Sequence, residues 1–175
     1  MTFILKSPAF ANGAAIPPRY SKNGDNVSPP LAWEDPPAGT RSFVLLVEDP
    51  EAPFTTFHHW AVYDIPGELT GLPEGLPLGA APMALKQALN AYGNDHYDGP
   101  QPPPLHGAHH YHFRLYALKV PSLAAELPDE PPGFDDLKQA AEPYVLGEAQ
   151  LIGTYKTTLL GKHPEQPPRG EAKRT

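Results

Sequence analysis

The stretch 95-DHYDGPQPPPLHGAHHYHFRLYAL-118, from Asp95 to Leu118, decides how this chain folds. It opens on a rigid loop, with Pro100 and Pro102 to Pro104, turns through Gly107, and enters a run of histidine, aromatic and aliphatic residues. Alternate residues of a strand point to opposite faces. His109, Tyr111, Phe113, Leu115 and Ala117 therefore share one face, and His110, His112, Arg114 and Tyr116 the other. The first face is apolar except at its start, so it is the core face. His109 and Tyr111 then stand where core meets surface, beside the proline loop, and together these make the wall of a small polar pocket.

Working outward, the strongest further strands are Arg41 to Glu48, apolar on both faces and so central, and Phe57 to Ile65, which also begins with paired histidines. Phe3 to Leu5 reads as a short opening strand, and 28-SPPLAW-33 as an extended edge piece that turns Leu31 and Trp33 inward. The prolines between Ser7 and Pro37 exclude a long helix there. Residues 68 to 82 read as a loop, and Met83 to Ala91 as an edge strand. Phe134 to Glu142 is the best helix, with Asp135 and Asp136 in its first turn and Pro143 to kink it, so that 144 to 149 make a further turn. Leu151 to Leu160 is the last strand. The expected fold is a mainly β single domain over residues 1–160 with a short helix near its C-terminus, followed by a loose tail over 161–175.

Composition narrows the function. The formal net charge of −7 opposes attraction to nucleic acid and to anionic membrane surfaces. With no cysteine, disulfides and thiolate metal sites are excluded. No run reaches the roughly 20 apolar residues of a membrane span, and the apolar run before Lys6 is too short for a signal peptide, so the expected location is the cytoplasm.

Asp49 before Pro50, His58-His59 before Trp60, and His109 with Tyr111 all lie at junctions between loops and strands. Neighbouring strand ends in one sheet bring such groups together. Imidazole N–H and phenol O–H suit a small oxyanion, with Asp49 orienting a histidine or accepting from a ligand amine or hydroxyl. Taken singly, a histidine at a strand start is more often a surface or satisfied core residue, and an Asp before Pro most often forms a turn. The competing chemistry is a histidine-liganded, metal-dependent enzyme using His58, His59, His109, His110 and His112. It ranks second, because the His110-x-His112 pair lacks a following acidic residue and lies on the polar face. There is no G-x-S-x-G elbow, cysteine nucleophile or glycine-rich phosphate loop.

Several motifs resemble one family. Ser7 to Tyr20 (SPAF-x-x-G-x-x-I-P-x-R-Y), Asn26 to Trp33 (N-x-SPPL-x-W) and Pro37 to Phe43 (P-x-GT-x-SF) are followed by 49-DPEAP-53 with His59-Trp60. Then comes Gly99-Pro100-Gln101-Pro102-Pro103 with Gly107, His109 and Tyr111 in register. The pattern resembles the phosphatidylethanolamine-binding proteins, the Raf-kinase-inhibitor-like proteins, in their bacterial YbhB/YbcL-type branch. The resemblance implies a β-sandwich with Greek-key connections and an anion pocket lined by Asp49, Pro53, His59, Gly99, Pro102, Pro103, His109 and Tyr111. It implies non-enzymatic binding, without a cofactor, of small phosphate-bearing or carboxylate anions such as phosphorylethanolamine or a phosphorylated peptide. Kinase regulation through a protein partner and a homodimer are also within what it implies. Three positions depart from the motif. Glu51 replaces an Asp, His110 replaces an Arg and so removes a fixed positive charge from the outer face, and Leu105 replaces a Gly, which points to an altered loop. A cis bond near the pocket is expected, with Ala52-Pro53 as the first candidate.

Overall fold

In the computed structural model, which describes residues 1–76, 85–128 and 130–158, two antiparallel sheets and one helix form three layers. The smaller sheet holds β1 (Ile4–Lys6), β2 (Leu31–Glu34) and β5 (Gly71–Leu72) in the order β1-β2-β5. The larger holds β3 (Ser42–Asp49), β4 (Phe57–Pro66), β6 (Lys86–Gln87), β7 (His109–Leu118) and β8 (Val145–Tyr155) in the order β6-β4-β3-β7-β8. Within it, β3, β4 and β6 succeed one another and β7 returns to lie beside β3. That is the Greek-key order expected.

β3 is buried at all eight positions because β4 and β7 flank it and both its faces are covered. Its Phe43, Leu45 and Val47 meet Trp60, Val62, Tyr111, Phe113 and Leu115 on the inner face, packed against Leu5, Leu31, Trp33 and Leu72 of the smaller sheet. On the outer face, Val44, Leu46, Ala61 and Tyr63 pack on Phe134, Leu137 and Ala141 of helix α1 (Phe134–Ala141). The alternation read from β7 holds: His109, Tyr111, Phe113, Leu115 and Ala117 are buried, while His110 is exposed.

Four details differ from the sequence reading. Gly71 and Leu72 form a strand inside the expected loop, where a side chain at Gly71 would strike the Leu31 carbonyl, so glycine permits the pairing. The further turn expected at 144–149 is absent. A single 3-10 turn over Glu142–Tyr144 is followed at once by β8, whose start pairs with the end of β7. The edge strand is only Lys86–Gln87, with Met83 and Ala84 outside the described residues. Among the described residues the cis bond is Glu130-Pro131, away from the pocket lining, not Ala52-Pro53. The expected end of the last strand at Leu159 and Leu160, and the 161–175 tail, also lie outside the described residues.

Candidate functional site

The β3–β4 pairing sets Asp49 opposite Phe57, and β7 runs beside β3 with Glu48 opposite His112, so that the His109 side chain reaches Asp49. This register gathers three distant junctions at one mouth. Asp49, Pro53, His59, Pro102, Pro103, His109 and Tyr111 line a cavity of about 200 Å³ there. Gly99 does not line it. Its N–H donates to Asn26 Oδ1 at 2.7 Å, and a side chain at this position would collide with the Tyr20 carbonyl. It stands behind the proline wall and seats it.

Both oxygens of Asp49 are already engaged. Oδ1 accepts the Glu51 N–H at 2.8 Å, closing a local turn, and Oδ2 lies 2.6 Å from His109 Nδ1. Nδ1–H of His109 therefore points at the carboxylate, leaving Nε2 for a ligand. His59 is arranged alike. Its Nδ1–H donates to the Asp98 carbonyl at 2.8 Å, again leaving Nε2. Burial pushes the His59 pKa down, because imidazolium would lose its hydration, so this ring stays neutral near pH 7. The Tyr111 ring packs edge-on against His59 at 5.3 Å between centroids. Burial raises its phenol pKa, so the hydroxyl keeps its proton and remains a donor.

His58, one residue from His59, points to the opposite face. It stacks on Phe134 at 3.8 Å, with Glu48 and Asp135 at 3.8 and 3.9 Å, and so belongs to the helix layer. His110 and His112 leave β7 on its outer side, where His110 Nδ1 meets Glu51 Oε1 at 2.8 Å and His112 faces Gln150. The five histidines are thus divided between faces, and no group of three or more potential ligands is placed to hold a metal ion among the described residues.

Glu51 Oε1 also accepts the His110 N–H at 2.6 Å, so two of the three departures from the motif are partners of each other. The third, Leu105, has a positive φ of +75°, the left-handed conformation that a glycine adopts freely.

Several contributors had no signal in the reading above. Ala52, Phe57, Tyr92 and Gln101 complete the lining, with the Phe57 and Tyr92 rings edge-on at 5.0 Å. Behind His59 stands Asp98, whose side chain is buried. Its carboxylate accepts from Asn90 at 2.7 Å, Asn94 at 3.0 Å, and Asn26 and Lys22 at 3.2 Å each. Burial alone would raise its pKa. The hydrogen bonds from Asn94, Asn90, Asn26 and Lys22 outweigh that and hold it below the ordinary carboxylate value. The only hint in the sequence is the density of Asn and Asp between 90 and 98, which reads equally well as plain loop.

The family model described as phosphatidylethanolamine-binding protein matches residues 6–156. A UPF0098 protein of Aquifex aeolicus is 43% identical over 152 residues, covering 86% of each chain. The lipoprotein-named LppC of Mycobacterium tuberculosis is 39% identical, covering 87% of this chain and 71% of its own. Among solved structures, E. coli YbcL, titled a new member of the mammalian PEBP family, superposes with a TM-score of 0.81 at 27% identity, covering 89% of this chain and 99% of that one. The PEBP homologue CT736 of Chlamydia trachomatis does so with a TM-score of 0.76 at 35% identity, covering 89% and 97%. Among the described residues no helix is long and apolar enough to cross a membrane.

Proposed function

The chain belongs to the phosphatidylethanolamine-binding protein family, and from that premise we propose that its pocket binds small phosphate-bearing or carboxylate anions without chemical turnover. A phospholipid headgroup such as phosphorylethanolamine and a phosphorylated peptide carry the same chemistry. The observation that carries this reading is the convergence of His59, His109 and Tyr111 on one cavity, around a carboxylate each of whose oxygens already accepts from the protein.

The tautomers refine the ligand. With both Nδ1–H groups engaged, a ring in its neutral form offers a lone pair at Nε2, while Tyr111 offers O–H. A fully ionised phosphate would meet two acceptors. A ligand that brings two or more donors, as dihydrogen phosphate or an ammonium group, satisfies both, a monoprotonated phosphate satisfies one, and otherwise a ring must take up a proton. Titration calorimetry with phosphate and phosphorylethanolamine is the test. The His109→Ala, Tyr111→Phe double variant is expected to lose binding, and equal affinity in both proteins refutes the assignment.

A further inference from the structure

Among the described residues, the two most exposed large apolar side chains after Met1 stand on the loops that wall this pocket. Phe54 is 106% exposed and Leu105 82%, so both stand largely in solvent. Phe54 follows Pro53, and Leu105 follows Pro102-Pro103-Pro104, with Pro53, Pro102 and Pro103 all lining the cavity. Both residues hold a left-handed backbone, φ +74° and +75°. That conformation costs a residue with a Cβ roughly 1–2 kcal/mol, and for a bulky side chain it is a true outlier. Glycine at either place would remove the strain and the exposed apolar surface together. Instead each of these two loops, both of which give prolines to the cavity wall, presents a large apolar group to solvent. Tyr92, 45% exposed and lining the same cavity, adds an amphipathic ring from a third loop.

We propose that Phe54 and Leu105 are hooks that seat the mouth of the pocket in the interfacial layer of a zwitterionic lipid bilayer, so that a phospholipid headgroup enters the pocket directly from the membrane. This rests on the reading of the pocket as a headgroup site. A protein partner would have to offer a fitted surface across about 1,600 Å². These hooks are instead single side chains on two separate proline loops. The interfacial layer accepts isolated aromatic and aliphatic groups without a matching cavity, and it carries the phosphate groups that the pocket is read to bind. Charge selects the kind of bilayer. No lysine or arginine lines the cavity, Glu51 at the rim is answered by His110, and the chain carries −7 overall. Lys22, over the Tyr92 ring, is already paired with Asp98, so the mouth holds little net positive charge to draw an anionic surface.

Flotation of the full chain with phosphatidylcholine vesicles, with and without phosphatidylethanolamine, tests the proposal against a Phe54→Gly, Leu105→Gly variant. Glycine suits both backbone conformations, so the variant folds, which its melting temperature checks. The wild type is expected to float, most strongly with phosphatidylethanolamine. The glycine variant is expected to partition at least about tenfold less, since it lacks two buried apolar side chains, while its calorimetric affinity for soluble phosphorylethanolamine is unchanged. Equal flotation of the two proteins overturns the proposal. A wild type that binds soluble phosphorylethanolamine but never floats overturns the docking and leaves the pocket reading standing. Absence of both removes the pocket reading and the docking with it. Self-association abolished by the glycine variant, without flotation, would give the rim to a second copy and overturn the bilayer as its occupant.

Discussion

His109 Nδ1 lies 2.6 Å from Asp49 Oδ2, with both side chains buried. The carboxylate fixes the tautomer and so decides what Nε2 can do for a ligand. A carboxylate ligand keeps its charge between about pH 6 and 8, so any gain in its affinity on acidification reports protons taken up by the protein. Affinity for acetate is expected to rise from pH 8 to pH 6, by at most about tenfold per pH unit for a single proton. In Asp49→Asn the amide can donate to Nδ1, which moves the ring proton to Nε2, so the variant is expected to bind with a flatter profile. Calorimetry at both pH values checks this, and an unchanged slope in the variant would assign the proton uptake elsewhere.

His59 sets an opposite trend in stability. An unfolded histidine takes its proton near pH 6.5, whereas burial holds the folded ring's pKa lower. Between those two values the unfolded chain binds a proton that the folded chain refuses. The native state therefore loses stability as pH falls below about 6.5, by up to about 1.4 kcal/mol per pH unit from this group. The loss ends once the folded value is passed. His59→Gln can still donate to the Asp98 carbonyl and has no titration, so its melting temperature is expected to fall less between pH 7 and pH 5. Parallel curves for the two proteins would contradict the assignment.

Asp98 is the keystone behind the site. Removing its carboxylate strands donors from Asn90, Asn94, Asn26 and Lys22 around a buried position. Asp98→Ala is expected to cost about 3–5 kcal/mol in urea unfolding, the range for breaking a buried charged network by removing one partner. Asp98→Asn, which retains one acceptor, is expected to cost less. Because hydrogen bonding depresses the pKa of Asp98, its stabilisation is present above the ordinary carboxylate value and is lost as acid protonates it.

What the sequence made legible follows from how each signal is encoded. Period-two alternation in 109–118 and the doubly apolar 42–49 are local patterns, and sheet register turns them directly into a core and a mouth. The division of His58 from His59 follows from the same period: adjacent strand residues cannot share a face, and only His59 reaches the cavity. The pairing of Glu51 with His110 was not legible, because it joins two substitutions far apart in the chain. The network around Asp98 was hidden for another reason. Its members are ordinary loop residues whose importance comes from burial, and burial arises only when the 20–26 and 90–99 segments are brought together by the sheets. The left-handed Leu105 shows the limit of propensity, since the proline loop imposes a conformation its residue disfavours.

Gly99 connects that hidden support to the pocket. An alanine Cβ there would strike the Tyr20 carbonyl and lie 3.0 Å from Ser21 Cα, and both obstacles are backbone. The neighbouring segments are also stitched together, with Lys22 N–H donating to the Pro100 carbonyl at 2.9 Å and Gly99 N–H to Asn26 at 2.7 Å. Relief must come from pushing one loop off the other, and that displaces the Pro102 and Pro103 wall. Gly99→Ala is therefore expected to destabilise by about 1–3 kcal/mol, as overpacking does, and to weaken phosphorylethanolamine binding about tenfold, one lost interaction's worth. Gly107→Ala is the control. Its φ of +77° makes alanine strained, but nothing lies within 4 Å of the added carbon. It should cost roughly 1–2 kcal/mol of stability and leave affinity unchanged. If both variants bound phosphorylethanolamine like the wild type, the proline wall would have no part in holding the ligand.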